Sequence, residues 1–312
     1  ADCSWRAAME RWTGLCVLLA GLLAVQGMAG AWACVSDPVV LPSEVNLAYQ
    51  LGDTWMNITT YTQPNAEGQT GLYSFINLHQ NENTSVVAAK TLIYQKGGGS
   101  IVFLQHGGTR DVEFTYNGVA YSIDPNRMFT WPGLEANLIP YDEEAAALVA
   151  EFARTVLEVY DFDGQSIVLA LHNNSPGYSA LDYLPGEVYA EDASAVHIGD
   201  LFNPRDFFFV SNGAAGQSLY NCLTGQDFNA VLQVPYHAPN STLTDDGSLS
   251  VYAALNFKPY VNTEAAAACC SEGTAVVNQL ILLDHLTTQV AAMYGESGNT
   301  HRPMVHADVV AE

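Results

Sequence analysis

Residues 75–93 read FINLHQNENTSVVAAKTLI: an apolar run closes on His79, Glu82 follows three residues later, and the segment continues with the spacing of an amphipathic helix. A buried strand that ends in a polar turn and passes into a helix is the building unit of an α/β fold. In open sheets of that kind, ligands gather beyond the carboxyl ends of the strands, which is where this turn falls. One His and one Glu at such a turn are candidates for chemistry.

The alternation continues downstream. Strand-like runs are SIVFLQHG, the hairpin VEFTYNGVAYSI with its turn at Asn117-Gly118, SIVLALHNN, DFFFVSN, AVLQVP and LSVYAALN. Helical spacing marks DEEAAALVAEFARTVLEVY, with acids in its first turn, and TAVVNQLILLDHLTTQVAAMYG. No repeat, low-complexity linker or change of composition divides residues 40–295, so one domain is expected. His172 in LALHNN closes an apolar run as His79 does, and polar residues follow both.

The 312 residues carry 33 Asp and Glu against 10 Lys and Arg, a formal charge of −23. Nucleic acid and anionic membrane surfaces are therefore excluded as natural partners, whereas a cationic substrate is compatible. Residues 9–34, MERWTGLCVLLAGLLAVQGMAGAWAC, have a charged start, a short apolar centre and an A-x-A signal at Ala31-Trp32-Ala33. This predicts a secretory signal peptide, with residues 1–8 as upstream sequence, and hence a secreted or extracellular protein, or a periplasmic one in a bacterium. Cleavage after Ala33 would make Cys34 the first residue, although Ala31 and Trp32 fit a lipobox poorly. The expected organisation is residues 1–33 as leader, 34–296 as a catalytic domain and 297–312 as a loose tail. Cys34, Cys222, Cys269 and Cys270 then remain, enough for two disulfides whose pairing is open, since the adjacent Cys269 and Cys270 rarely bond to each other. Asn57, Asn83, Asn173 and Asn240 begin sequons, glycan acceptors in a eukaryotic secretory route. Asn83 and Asn173 adjoin Glu82 and His172, so a glycan there would crowd a buried metal and both are expected to stay unmodified.

A spacing of His-x-x-Glu is common by chance, and its bland reading is a strand-end His bonded to backbone. Its company is more specific. Arg110 lies in QHGGTR, the group Asp124, Asn126 and Arg127 in DPNRMF, His172 at a strand end, and Glu264 in YVNTEA. In this order the chain resembles the zinc carboxypeptidases and their deacylase relatives, the succinylglutamate desuccinylase and aspartoacylase branch, over roughly residues 70–290. The resemblance rests on short ordered motifs, and Pro125 is a departure from the family's pattern. It implies an α/β domain with a mixed, mostly parallel twisted sheet and helices on both faces. It further implies Zn2+ held by His79, Glu82 and His172, with Asp124 orienting His79. Arg110 would polarise the scissile carbonyl, Asn126 and Arg127 would grip a substrate carboxylate, and Glu264 would be the general base. Tyr252 and Tyr260 fall where the family carries a mobile Tyr, but neither spacing matches, and the apolar surroundings of Tyr252 fit a core residue.

These residue types suit amide hydrolysis. Two His and a carboxylate leave zinc an open position for water, a nearby carboxylate can take that water's proton, and a guanidinium can stabilise the oxyanion. Arg127 can fork onto a carboxylate in a way Lys cannot. The expected function is thus removal of a C-terminal amino acid from a peptide. Two alternatives stay open: an N-acyl amino acid deacylase of the same chemistry, and a metal-free binding or assembly protein on the same fold. The structural alternatives are ion pairing for Arg110 and Arg127, turn chemistry for Asp124 before its Pro, and an exposed strand-end acid for Glu264. His106 is expected in a loop, His237 and His285 in structural roles, and His301 and His306 in the tail.

Overall fold

The computed structural model describes residues 41–65, 73–174, 177–211, 213–236, 244–266 and 272–294. The leader, the tail, Cys34, Cys269, Cys270, Asn240 and His237 lie outside the described residues, which leaves Cys222 as the described member of the expected disulfides.

A nine-stranded sheet forms the frame. Its first two strands, β1 (Ser43–Leu51) and β2 (Thr54–Gln63), make an antiparallel hairpin at one edge. β3 (Ser74–Asn77) follows, then helix α1 (Asn83–Lys96) and β4 (Gly99–Gln105). A separate hairpin, β5 (Val112–Tyr116) and β6 (Val119–Ile123), leads to the helices α2 (Trp131–Asn137) and α3 (Glu143–Tyr160) and back into the sheet as β7 (Val168–Asn174). The rest comprises β8 (Ala193–His197), β9 (Phe207–Val210), α4 (Ala214–Thr224), β10 (Ala230–Gln233), α5 (Leu249–Leu255), β11 (Tyr260–Ala266) and α6 (Glu272–Tyr294). The order across the sheet is β1-β2-β4-β3-β7-β11-β9-β10-β8.

The expected α/β architecture is present, and the sheet is mixed. Parallel pairing covers the centre, β4-β3-β7-β11, and recurs at β9-β10, while the other four neighbouring pairs are antiparallel. Parallel pairing is thus half of the sheet rather than most of it, because the β1-β2 hairpin continues antiparallel into β4, and β9 and β8 run antiparallel to β11 and β10 on the other side.

The central strands read as continuous apolar runs because both faces are covered. Successive residues alternate between two cores: Phe75, Ile101, Phe103, Leu169, Leu171 and Val261 pack with residues of α1, α4 and α6. Ile76, Val102, Leu104, Ala170 and Tyr260 pack on the other side with α2, α3 and α5. Helix α1 stops at Gly97, whose φ of 70° takes the left-handed conformation that closes a helix end at little cost to glycine. His285 on α6 stacks on Phe228 at 4.1 Å, the structural role expected of it.

LSVYAALN is a helix, not a strand. The Ser248 hydroxyl caps α5 by accepting from the Val251 N–H, and Leu249, Ser250, Val251 and Ala253 are all buried, so the alternation in sequence does not correspond to two sheet faces. Among the described residues no helix is long and apolar enough to cross a membrane.

The strand order reverses between β3 and β7. From β3 the chain crosses to β4 on one side, and after β7 it continues to the strands on the other, leaving a crevice at the carboxyl ends of the two strands. The wall of that crevice depends on two glycines. A Cβ on Gly133 of α2 would sit 2.1 Å from the Gly247 Cα and 2.8 Å from the carbonyl oxygen of Arg127. Both neighbours are backbone, so Gly133→Ala should destabilise the protein by about 1–3 kcal/mol, read as a lower urea midpoint with unchanged slope. An unchanged midpoint would show that this wall yields freely.

Candidate metal centre

His79 follows β3 and is fully buried, and the next turn is closed by the Glu82 N–H donating to the His79 carbonyl at 3.0 Å. The Ser85 hydroxyl donates to the Glu82 carbonyl at 2.7 Å, and Asn77 Nδ2 donates to that hydroxyl at 2.8 Å, so the start of α1 is anchored to the strand that precedes it. His172 lies within β7, and its neighbour Asn173 donates its backbone N–H to Glu82 Oε2 at 3.1 Å. Adjacent parallel strands thereby bring together two imidazoles 93 residues apart.

The three side chains meet at close range. The Nδ1 atoms of His79 and His172 are 3.2 Å apart, His79 Nδ1 lies 3.0 Å from Glu82 Oε1, and His172 Nδ1 lies 3.1 Å from Glu82 Oε2. A tetrahedral ion with ligands at about 2.0–2.1 Å sets its donors roughly 3.3 Å apart. The donor set and its spacing fit a divalent metal, zinc first among them by ligand chemistry.

Asp124 fixes which nitrogen faces the site. Its Oδ1 lies 2.8 Å from His79 Nε2, so that nitrogen is committed to the carboxylate, and Nδ1, 3.0 Å from Glu82 Oε1, is the nitrogen a metal could take. The same Oδ1 accepts the Asn126 N–H at 2.7 Å. Turn chemistry and ligand orientation are therefore both present, and Pro125 is accommodated at the first position of the short 3-10 turn Pro125–Arg127.

Hairpin register places Arg110. Val112 pairs with Ile123, so the residues just outside the hairpin base, Arg110 and Asp124, come together, with Nη2 to Oδ2 at 3.2 Å. Arg110 Nη1 donates to Glu82 Oε1 at 3.0 Å. Gln80, inside the ligand turn, holds the preceding loop: its Oε1 accepts the N–H groups of Gly107 and Gly108, both at 2.9 Å, and that of His106. Sequence reasoning passed over Gln80, since a lone Gln between two candidate ligands carries no signal of its own.

The electrostatics follow from burial and pairing. Burial alone would raise the Glu82 pKa, but His172 and His79 hold it well below the usual carboxylate range. Burial opposes the lowering of Asp124 in the same way, and His79 and Arg110 outweigh it. Burial lowers the pKa of His172 against the pull of Glu82. Glu264 sits in β11 in register with His172 and is buried, not an exposed strand-end acid. Burial and then the nearby Glu82 push its pKa up to about 8.

A cavity of about 550 Å³ opens over these groups, lined by Glu82, His172, Glu264, Arg110, Asn126 and Arg127 among others. Every residue proposed from sequence thus reaches the cavity except His79 and Asp124, which lie behind it. Arg127 is only partly available: Nη1 donates to the Asn126 carbonyl at 2.9 Å and pairs with Asp246 Oδ2 at 3.4 Å. Tyr252 packs against Phe129 and Phe162 as a core residue, whereas Tyr260 is a buried residue of β11 that lines the cavity. Tyr178, Tyr183 and Tyr189 form a wall that no spacing in the sequence announced. Asn173 is buried, with Nδ2 donating to the Ala265 carbonyl at 3.4 Å, beside the ligand candidates as expected. Asn83 is exposed at the first residue of α1, so the crowding expected there does not apply.

No family model and no curated protein matches the chain. Among solved structures, it is similar to an aspartoacylase family protein from Mesorhizobium loti, with 16% identity, 80% of this chain and 69% of that chain covered, and a TM-score of 0.42. A succinylglutamate desuccinylase from a Silicibacter species gives 13% identity, coverage of 79% and 66%, and a TM-score of 0.41. A metallo-carboxypeptidase from Burkholderia cenocepacia gives 10% identity, coverage of 82% and 66%, and a TM-score of 0.44.

Burial alone would weaken proton binding at His79, but Glu82 and Asp124 prevail and raise its pKa to about 9. Below that pH the ring carries a proton that a metal must expel to take the Nδ1 lone pair. Zinc uptake at about pH 7 should therefore release close to one proton from His79, and apparent affinity should fall as the pH is lowered. Calorimetry in buffers of different ionisation enthalpy measures this, and His79→Ala should abolish tight uptake. Zinc bound equally well by His79→Ala would place the metal elsewhere.

Proposed function

We propose that this chain is a secreted, metal-dependent hydrolase that removes the C-terminal residue of a peptide. The observation that carries the reading is the convergence of His79 Nδ1, His172 Nδ1 and Glu82 at metal-ligand spacing, in a cavity shared with a buried carboxyl and two guanidinium groups. Zinc held by His79, Glu82 and His172 would act as a Lewis acid toward the scissile carbonyl and make water nucleophilic near neutral pH.

The chain's own residues do the rest. Asn262 Nδ2 donates to Glu264 Oε1 at 3.2 Å, which leaves Oε2 to take a proton from the attacking water and pass it to the leaving amine. A carboxyl with a pKa near neutrality suits both halves of that transfer. Arg110, already held by Asp124 and Glu82, presents its guanidinium without further ordering and would donate to the developing oxyanion. Asn126 and Arg127 would receive the substrate's terminal carboxylate, with Arg127 exchanging Asp246 for it. Asp124 keeps His79 in the tautomer the metal needs.

Glu264→Gln should keep its metal and lose about 10²–10⁴-fold in kcat, measured with a panel of blocked dipeptides and N-acyl amino acids. Turnover of N-acyl amino acids alone would move the reading to a deacylase. A fully metallated protein that turns over neither class would make it a binding protein.

A further inference from the structure

Beyond the metal ligands, the cavity wall has a charge pattern that the hydrolytic reading does not use. Asp192 ends the short 3-10 turn Ala190–Asp192, and its carbonyl accepts the Val234 N–H at 2.9 Å, which ties it to the segment after β10. Asp246 lines the same cavity. Among the described residues two cationic side chains line that space, Arg110 and Arg127. Arg110 is engaged by Glu82 and Asp124, and Arg127 by Asp246. Among the described residues no ion pair forms to Asp192, although it faces the cavity. Burial, Asp246 and Glu191 raise its pKa, so among the described residues Asp192 faces the cavity beside like charge and without a counter-ion.

The surrounding groups are also those a cation prefers. Tyr189 lies 5.9 Å from the Tyr178 ring and 5.4 Å from the Tyr183 ring, and the hydroxyls of Tyr178 and Tyr183 are hydrogen-bonded to each other, so the three rings form a fixed aromatic surface. On β11, Tyr260, Asn262 and Glu264 share one face and all line the cavity. Asn262 is more than nine-tenths buried, and among the described residues its Oδ1 has no hydrogen-bond partner. Asn174 also lines the cavity and is more than nine-tenths buried, and its Oδ1 likewise has no partner among the described residues. Buried carbonyl oxygens without donors are costly unless something supplies N–H groups.

We propose that the wall formed by Asp192 and the three tyrosines is a subsite for a cationic side chain, so that the preferred substrate ends in a residue bearing a guanidinium or ammonium group. This rests on the hydrolytic reading of the same site. The substrate's carboxylate displaces Asp246 from Arg127, and the released Asp246 then joins Asp192 in facing the cation. The unpartnered oxygens of Asn174 and Asn262 accept N–H groups from the bound substrate. An acidic side chain in this subsite would meet Asp192 and be rejected by like charge.

The test compares blocked dipeptides ending in arginine or lysine with matched ones ending in citrulline or norleucine, which keep the shape and lose the charge. The charged pair should lead by at least about tenfold in kcat/KM, and the lead should shrink with added salt. Asp192→Asn should erase the lead by slowing the charged substrates alone, and Asp192→Glu should restore most of it. Equal turnover of arginine and citrulline substrates, or a lead that survives Asp192→Asn, would overturn the subsite. Should no substrate turn over, the hydrolytic reading fails by itself, and calorimetry with free arginine and free citrulline decides the subsite. Binding of arginine alone that is lost in Asp192→Asn upholds it, and absent or equal binding removes it.

Discussion

A buried carboxylate without partners would not survive in this fold, and Glu82 is the point from which the site is organised. The cost of desolvating it is offset by two imidazoles, the Arg110 guanidinium and a backbone N–H from β7. The four partners arrive on three pieces of chain: the turn after β3, the strand β7 and the loop before β5. The carboxylate therefore joins elements that the sheet alone would leave independent, and the geometry that suits a metal is also the geometry that satisfies the charge.

The frame around it supplies direction rather than chemistry. Parallel pairing of β3 with β7 aligns the two strand ends, and cores on both faces hold those strands against displacement. The candidate site residues lie at the carboxyl ends of these strands, as His172 and Glu264 do, or in the turns beyond them, where backbone groups not used by the sheet are available to Gln80, Asp124 and Asn173. The frame is apolar and the candidate site lies at its rim.

Much of this was legible in the sequence because it depends on periodicity and residue chemistry. FINLH and VLALH announced buried strands ending in His, Asn117-Gly118 announced a hairpin, and the acids of DEEAAALVAEF marked a helix start. What escaped depends on packing. The β1-β2 hairpin lies at a sheet edge, where β1 is largely exposed and Thr and Asn replace the apolar runs of central strands, so its alternation was weak. LSVYAALN alternates like a strand, yet a serine cap and a pair of alanines took it into a helix. The availability of Arg127 could not be read without knowing that Asp246, 119 residues later, folds back onto it. The tyrosine wall comes from segments whose spacing follows no motif.

The two-stranded unit of β5 and β6 touches the site only at its base, where Arg110 and Asp124 flank the first and last residues of the pairing. Its far end is fastened to the β1-β2 turn, where the Thr115 carbonyl accepts the Asp53 N–H at 2.6 Å and the Thr115 N–H donates to Thr54 Oγ1 at 3.1 Å. Adding one residue to each arm preserves the ladder, whereas deleting one from a single arm slides it and turns alternate side chains to the opposite face. The clip is thus pinned at both ends, at the site and at the β1-β2 turn, so natural variants of this chain are expected to change its length only beyond Tyr116 and Val119, at the tip, and there in matched steps.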